Sequence, residues 1–160
     1  MSFSCMDTNS NFITEATDAE REWCAKLMAG SEPWTTLGRG PEQCRAVCRH
    51  PEYLLLVAHG QGAPCGFILL HPRGVAGSPY IASIAVAEHF RGQGIGTRLL
   101  DYAEAHFAGA ARHIFLCVSS FNERARRLYE GRGYTVIGEL KDYIIEGASE
   151  ILMHKRLARP

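Results

Sequence analysis

The chain has no surplus charge: 17 Lys and Arg face 17 Asp and Glu over 160 residues. Affinity for a phosphate backbone grows with the cations a protein offers, so a globally basic nucleic-acid binder is disfavoured. No apolar run approaches the roughly 20 residues a spanning helix needs, which argues against a membrane protein. Residues 1–11 lack a cationic start and an apolar stretch, so they do not read as a signal peptide. Cytoplasmic residence is therefore the expectation, with 1–11 a flexible polar segment. A second close cysteine pair is also missing. Cys44, Cys48 and His50 have the spacing of a metal half-site, but a structural site needs four ligands, so no metal is expected. The 6 cysteines, at positions 5, 24, 44, 48, 65 and 117, read as scattered reduced thiols, because disulfide frameworks belong to short secreted chains with little core.

What is present describes one folded unit. Hydrophobic residues make up 46% and charged residues 21%, the balance of a single soluble domain, expected over 12–160. The charge is unevenly placed: 7 arginines face 4 acids between 91 and 132, while 9 acids face 6 basic residues over 1–90. A local cationic segment in a neutral chain suits a small polyanion, although Arg124, Arg126, Arg127 and Arg132 could equally solvate one helix face.

Periodicity gives the order of elements. Phe12–Ala16 reads as a strand, and Thr17 or Asp18 caps a helix to about Met28, with Glu20 placed for a capping box. Gly30–Gly40 is loop, and Pro41 opens a short helix to about Arg49. Tyr53–Ala58 and Cys65–His71 form a hairpin, Pro72–Pro79 is a turn, and Tyr80–Ala87 is a third strand. Gly94 to about Ala108 is helical, with Ile95, Leu99, Ala103 and Phe107 on one face. A strand at His113–Val118, a helix at Asn122–Arg132, and strands at Tyr134–Glu139 and Ile151–Arg156 complete the chain. The fold class is mixed α/β or α+β, without repeats.

The most informative stretch is Arg91-Gly92-Gln93-Gly94-Ile95-Gly96, between a predicted strand and a predicted helix. Unpaired N–H groups and the positive dipole end gather there to meet an anion, and glycine lets the backbone approach it closely. A dinucleotide G-x-G-x-x-G fails, because the sixth residue is Thr97 counted from Gly92 and Leu99 counted from Gly94. A nucleotide P-loop fails because no lysine lies between Lys26 and Lys141.

What remains, R-x-x-G-x-G after Ile84-Ala-Val-Ala-Glu-His-Phe, resembles the GNAT superfamily of acetyl-CoA-dependent N-acetyltransferases. A second stretch, Asn122-Glu-Arg-Ala-Arg-Arg-Leu-Tyr129-Glu-Gly-Arg-Gly133-Tyr134, resembles that family's N-x-x-A-x-x-L-Y-x-x-x-G-[FY] segment. The resemblance implies a mixed, mostly antiparallel central sheet flanked by helices, with central strands splaying after Ala85 to open a cofactor slot. It implies that Arg91, Gly92, Gln93, Gly94, Ile95, Gly96 and Thr97 wrap the pyrophosphate of acetyl-CoA, joined by Asn122 and Ala125. It also implies that Ile84, Ala85 and Val86 offer backbone groups to the pantetheine arm, like an added strand. An N–H near Val86 then polarises the thioester oxygen.

Tyr129 stands where the family places its thiolate partner. Tyrosine titrates near ~10 and a thiol near ~8.5, so complete proton transfer is uphill by about 2 kcal/mol, and a hydrogen bond that strengthens as charge develops is the sounder role. The strand before the second motif carries Cys117 where some relatives carry a glutamate. No base is assigned; Ser119, Glu32 and Tyr143 are candidates, and His89 is expected to face the cofactor edge. The resemblance sets the acceptor cleft near Glu32, Trp34 and Tyr143; an exposed aromatic beside acids would suit a cationic amine, while ordinary loop packing of Trp34 is the slightly favoured reading. The expected reaction is acetylation of a primary amine, more readily of a small molecule than of a protein. The alternative is a non-catalytic acyl-CoA-binding or sensing module. A homodimer through the last two strands stays open.

Overall fold

Thr17 opens the first helix in a computed structural model that describes residues 12–159. The expected flexible segment, 1–11, lies outside the described residues. The Thr17 hydroxyl accepts the Glu20 N–H at 3.3 Å, and the Glu20 carboxylate accepts the Thr17 N–H at 2.8 Å. This reciprocal pair satisfies two donors that a helix start leaves without partners. Helix α1 (Asp18–Ala29) buries Cys24, Ala25 and Met28. Pro41, which needs no hydrogen-bond acceptor in a first turn, begins α2 (Pro41–Cys48).

The strands are β1 (Ile13–Glu15), β2 (Leu54–Gly60), β3 (Ala63–Val75), β4 (Ser78–Val86), β5 (His113–Ser119), β6 (Thr135–Leu140) and β7 (Glu150–Arg156). Helix α3 (Ile95–Phe107) separates β4 from β5, and α4 (Glu123–Gly131) separates β5 from β6. One expected boundary is corrected. Pro72–Pro79 is not a turn, because β3 runs on to Val75 and the reversal narrows to Ala76 and Gly77, both at positive φ. A register shift between His71 and Val75 takes up Pro72, whose missing N–H a regular ladder would not tolerate.

The seven strands form one sheet in the order β1-β2-β3-β4-β5-β7-β6, antiparallel throughout except for β4 and β5. That parallel pair is registered only at Tyr80↔Phe115 and Ile81↔Leu116. Each strand then follows its antiparallel neighbour, β4 along β3 and β5 along β7. The sheet therefore splays after Ile81 rather than after Ala85 as expected. The long ladders on either side outweigh a two-residue contact, and strand twist carries the two halves apart.

Two apolar clusters cover the two faces. One joins Leu99, Leu100, Ala103 and Phe107 of α3 to Ile68, Leu116 and Met153 of the sheet. The other packs α1 and α2 on Leu55, Phe67 and Leu69. Cys44 and Cys48 belong to that second cluster, and His50 turns edge-on to Tyr53. Among the described residues, no helix is long and apolar enough to cross a membrane.

Candidate active site

The splay leaves backbone groups facing an opening inside the sheet. The Ala87 N–H donates to the Cys65 carbonyl at 2.8 Å, which makes 65 and 87 a hydrogen-bonded antiparallel pair. Alternation makes 67/85 and 69/83 the next such pairs, and 66/86 and 68/84 the non-bonded ones. Ile84 and Val86 therefore turn their N–H and C=O groups away from β3 and toward the gap. Ala85 lines the cavity there, but its backbone is committed to Phe67. The expectation that Ala85 offers main-chain groups to an extended ligand is corrected on that ground.

A 3-10 turn at Glu88–Phe90 carries the chain from β4 into the glycine loop. Arg91 then reaches back, its Nε donating to the Val86 carbonyl at 3.1 Å. Gly92 (φ 77°) and Gly94 (φ 81°) both take the left-handed conformation, with Gly94 at the N-cap of α3. Among the described residues no side chain caps α3, and no acid occupies its first turn, so the first N–H groups and the positive helix end are left to an outside anion. A Cβ built on Gly92 or Gly94 meets nothing within 4 Å, so the loop presents an open backbone face. Gln93 is the one member of the expected loop set that does not line the cavity. Its side chain turns back to the His89 carbonyl at 3.3 Å and closes the 3-10 turn.

The cavity so formed has a volume of about 950 Å³ and runs from this loop through the splay to the far side of the sheet. A diphosphate at uncapped helix N–H groups, followed by an extended amide arm along the free edge of β4, suits the chemistry of this wall. Helix α4 supplies the opposite side. The Asn122 Oδ1 accepts the Ala125 N–H at 3.3 Å and caps the helix, and both residues line the cavity. The arginine cluster divides. Arg126 and Arg127 pair with Glu130 and Glu123 one turn away, and Arg132 pairs with Asp101 and Glu104. Arg124 alone of the four lines the cavity, and sequence periodicity gave no means of separating it from the others.

Tyr129 is buried, sits edge-on to Tyr134 at 5.9 Å, and lines the same cavity. Burial pushes its hydroxyl up to about 12. Against a thiol near ~8.5, complete proton transfer from Tyr129 is then uphill by about 5 kcal/mol, which favours hydrogen bonding over ionisation.

The expected acceptor residues all line the cavity, with different characters. Trp34 is only 8% exposed and belongs to the apolar cluster under α1 and α2, so of its two readings the packed one holds. Its indole is held by packing, with an edge left on the cavity. Tyr143, 67% exposed, stands at the rim. The Glu32 carboxylate accepts from the Thr35 hydroxyl and from the Thr36 N–H, and these bonds hold it below the usual carboxylate range. A carboxylate so stabilised suits pairing with a cation better than taking a proton.

Ser119 is not a free hydroxyl. Its Oγ donates to Glu150 Oε1 at 2.6 Å in a buried pair. Burial raises the Cys117 thiol, and the neighbouring Tyr80 opposes part of that rise. Glu150 and Tyr80 both line the cavity and were missed in the sequence, because their place depends on strand register. His89 does not line it.

Comparison with known proteins agrees with this geometry. A family model described as the acetyltransferase (GNAT) family matches residues 15–134. An uncharacterised N-acetyltransferase of Methanocaldococcus jannaschii is 39% identical over 82 residues, 50% of this chain and 53% of that protein. The chain thus spans about half the length of that curated relative. A GNAT-family acetyltransferase from Desulfovibrio desulfuricans superposes with a TM-score of 0.79 at 18% identity, covering 93% of this chain and 100% of that one. An aminoglycoside 6'-N-acetyltransferase complexed with coenzyme A superposes at 0.73 with 21% identity, covering 93% and 99%. The match spans most of the chain and both motif-bearing helices, and the chain belongs to the acetyltransferase (GNAT) family.

Proposed function

We propose that the protein is an acetyl-CoA-dependent N-acetyltransferase that acetylates a primary amine of a small molecule by direct attack on the thioester. The observation that carries this reading is the single cavity joining the uncapped start of α3, the free edge of β4 and the Tyr129 side chain. Bound acetyl-CoA supplies an activated acyl carbon and a sulfur leaving group. The N–H groups at the start of α3 hold the pyrophosphate, with Arg124 adding positive charge. Ile84 and Val86 bind the pantetheine arm through their outward N–H and C=O groups. The Val86 N–H meets the carbonyl oxygen as it gains negative charge. Tyr129 donates its hydrogen bond to the departing sulfur.

The acceptor enters from the other side of the sheet, between Trp34, Tyr80 and Tyr143. Two carboxylates, Glu32 and Glu150, with Arg39 nearby, suit an amine of low charge rather than a polycation. Thiol release from acetyl-CoA with a panel of primary amines tests this reading. Release with at least one amine supports it. Silence toward every amine, in protein that binds coenzyme A, favours the non-catalytic binding module, for which the substitution of Cys117 for a carboxylate is the supporting observation. Val136 and Ile137, 45% and 46% exposed on β6, support a homodimer through the last strands.

A further inference from the structure

Glu150 is a charged side chain whose burial the fold alone does not explain. It opens β7, in register with Ser119 of β5 on one side and Leu140 of β6 on the other. Only 6% of it is exposed, yet no Lys, Arg or His pairs with it among the described residues. A buried carboxylate without a cation is expensive, and one hydrogen bond from Ser119 offsets only part of that cost. The bond falls on Oε1, and Oε2 takes none among the described residues, while the residue lines the cavity. Strand alternation puts positions 117 and 119 on one face of β5, and register puts Glu150 there too. The charge of Glu150 reaches Tyr80 from β4 and the Cys117 thiol from β5. A carboxylate thus stands beside the splay, one strand away from the position where Cys117 leaves none.

We infer that Glu150, fixed by Ser119, accepts the proton of the acceptor amine as that amine attacks the acetyl carbon. This inference rests on the function proposed above. A carboxylate is far too weak a base to strip a free ammonium ion, so the amine attacks in its neutral form, its extra proton already lost to solvent, and the transfer to Glu150 accompanies bond formation, when the nitrogen becomes acidic. The new bond is N–C and the broken bond is C–S. One proton passes from nitrogen to Glu150, the sulfur leaves as thiolate against the Tyr129 hydroxyl, and water carries the proton from Glu150 to the thiolate. The products are an N-substituted acetamide and coenzyme A thiol, and the carboxylate is restored. The aromatic wall of Trp34, Tyr80 and Tyr143 gives the amine its apolar contacts.

Glu150→Gln keeps an oxygen for the Ser119 hydrogen bond and removes the proton acceptor. Protein labelled with carbon-13 at the glutamate carboxyl carbon gives one resonance that this substitution deletes, which assigns it to Glu150. In coenzyme A-loaded wild type, tyramine, spermidine and alanine amide are titrated separately. The inference predicts that at least one amine moves that resonance. It also predicts that kcat for thiol release with that amine falls by about 100-fold or more in Glu150→Gln, while coenzyme A still raises Tm. Ser119→Ala, which leaves the carboxylate in place but unheld, is expected to lower kcat by about tenfold. It serves as the second variant if Glu150→Gln does not fold. A resonance that none of the three amines moves, or a Glu150→Gln kcat within about threefold of wild type, overturns the inference. Failure of coenzyme A to bind wild type is a different pattern, and it overturns the proposed function itself.

Discussion

The guanidinium of Arg91 donates through Nε to the carbonyl of Val86 at 3.1 Å, fastening the first residue of the glycine loop to the last residue of β4. The contact joins the two parts of the cofactor wall, the anion-binding turn and the free strand edge. Arg91→Ala removes this tie without opening the apolar core, because Arg91 is exposed. Coenzyme A affinity is expected to fall by about tenfold by calorimetry, equivalent to about 1.4 kcal/mol, with the Tm of the free protein little changed.

Gly94 and Gly66 are glycines for different reasons, and alanine separates them. At Gly94 a Cβ meets open space, but φ is 81°, so Gly94→Ala costs about 1–2 kcal/mol of backbone strain. At Gly66 a Cβ would lie 2.9 Å from the Ala85 carbonyl oxygen and 3.2 Å from Ile95 Cγ2. Gly66→Ala therefore forces β3, β4 and α3 apart, at about 1–3 kcal/mol. Urea unfolding gives both losses. The Gly66 variant is expected to lose coenzyme A affinity as well, since the displaced residues are the wall of the slot.

Tyr129→Phe keeps the ring against Tyr134 and deletes the hydroxyl of this cavity-lining side chain. Thiol release under single-turnover conditions is expected to slow by about 100-fold, with coenzyme A affinity nearly intact. Unchanged turnover removes Tyr129 from the chemistry.

The same hydroxyl sets an alkaline limit to stability. Burial raises Tyr129 to about 12 in the folded chain, against ~10 when unfolded. Tyr80 and Tyr134 are also raised by burial. A group raised in this way stabilises the fold fully below its unfolded value. That contribution is lost as pH rises from about 10 through the folded value. Unfolding free energy is therefore expected to fall with increasing pH above about 10. Tyr129→Phe should lessen the slope by up to about 1.4 kcal/mol per pH unit.

Local chemistry was legible in the sequence, and register was not. The Thr17–Glu20 box, the Pro41 helix start and the glycine loop leading into α3 at Gly94 follow from neighbours within a few residues, and each stands where its residues pointed. The stretch Pro72–Pro79 has the composition of a turn, yet the pairing of Val75 with Ser78 extends the ladder through most of it. Ala148-Ser149-Glu150 likewise reads as the exit of a loop. Only the pairing of β7 with β5, across some 30 residues of chain, buries Glu150 against Ser119. The splay point belongs to the same class, because it depends on how far two ladders outweigh the contact between them. The Gln93 side chain bonds to the His89 carbonyl within four residues, a contact that spacing alone did not reveal.

The central claim is that the opening between β4 and β5, with the start of α3, is a coenzyme A slot. Melting curves with acetyl-CoA, coenzyme A and NAD in separate samples address it without any knowledge of the acceptor. A ligand at about 100 times its Kd stabilises by about 2.7 kcal/mol, which for a domain of this size raises Tm by roughly 5–10 °C. The account predicts such a rise with both coenzyme A species and none with NAD. A folded protein whose Tm moves with neither coenzyme A species contradicts it, and the glycine loop is then no more than a turn.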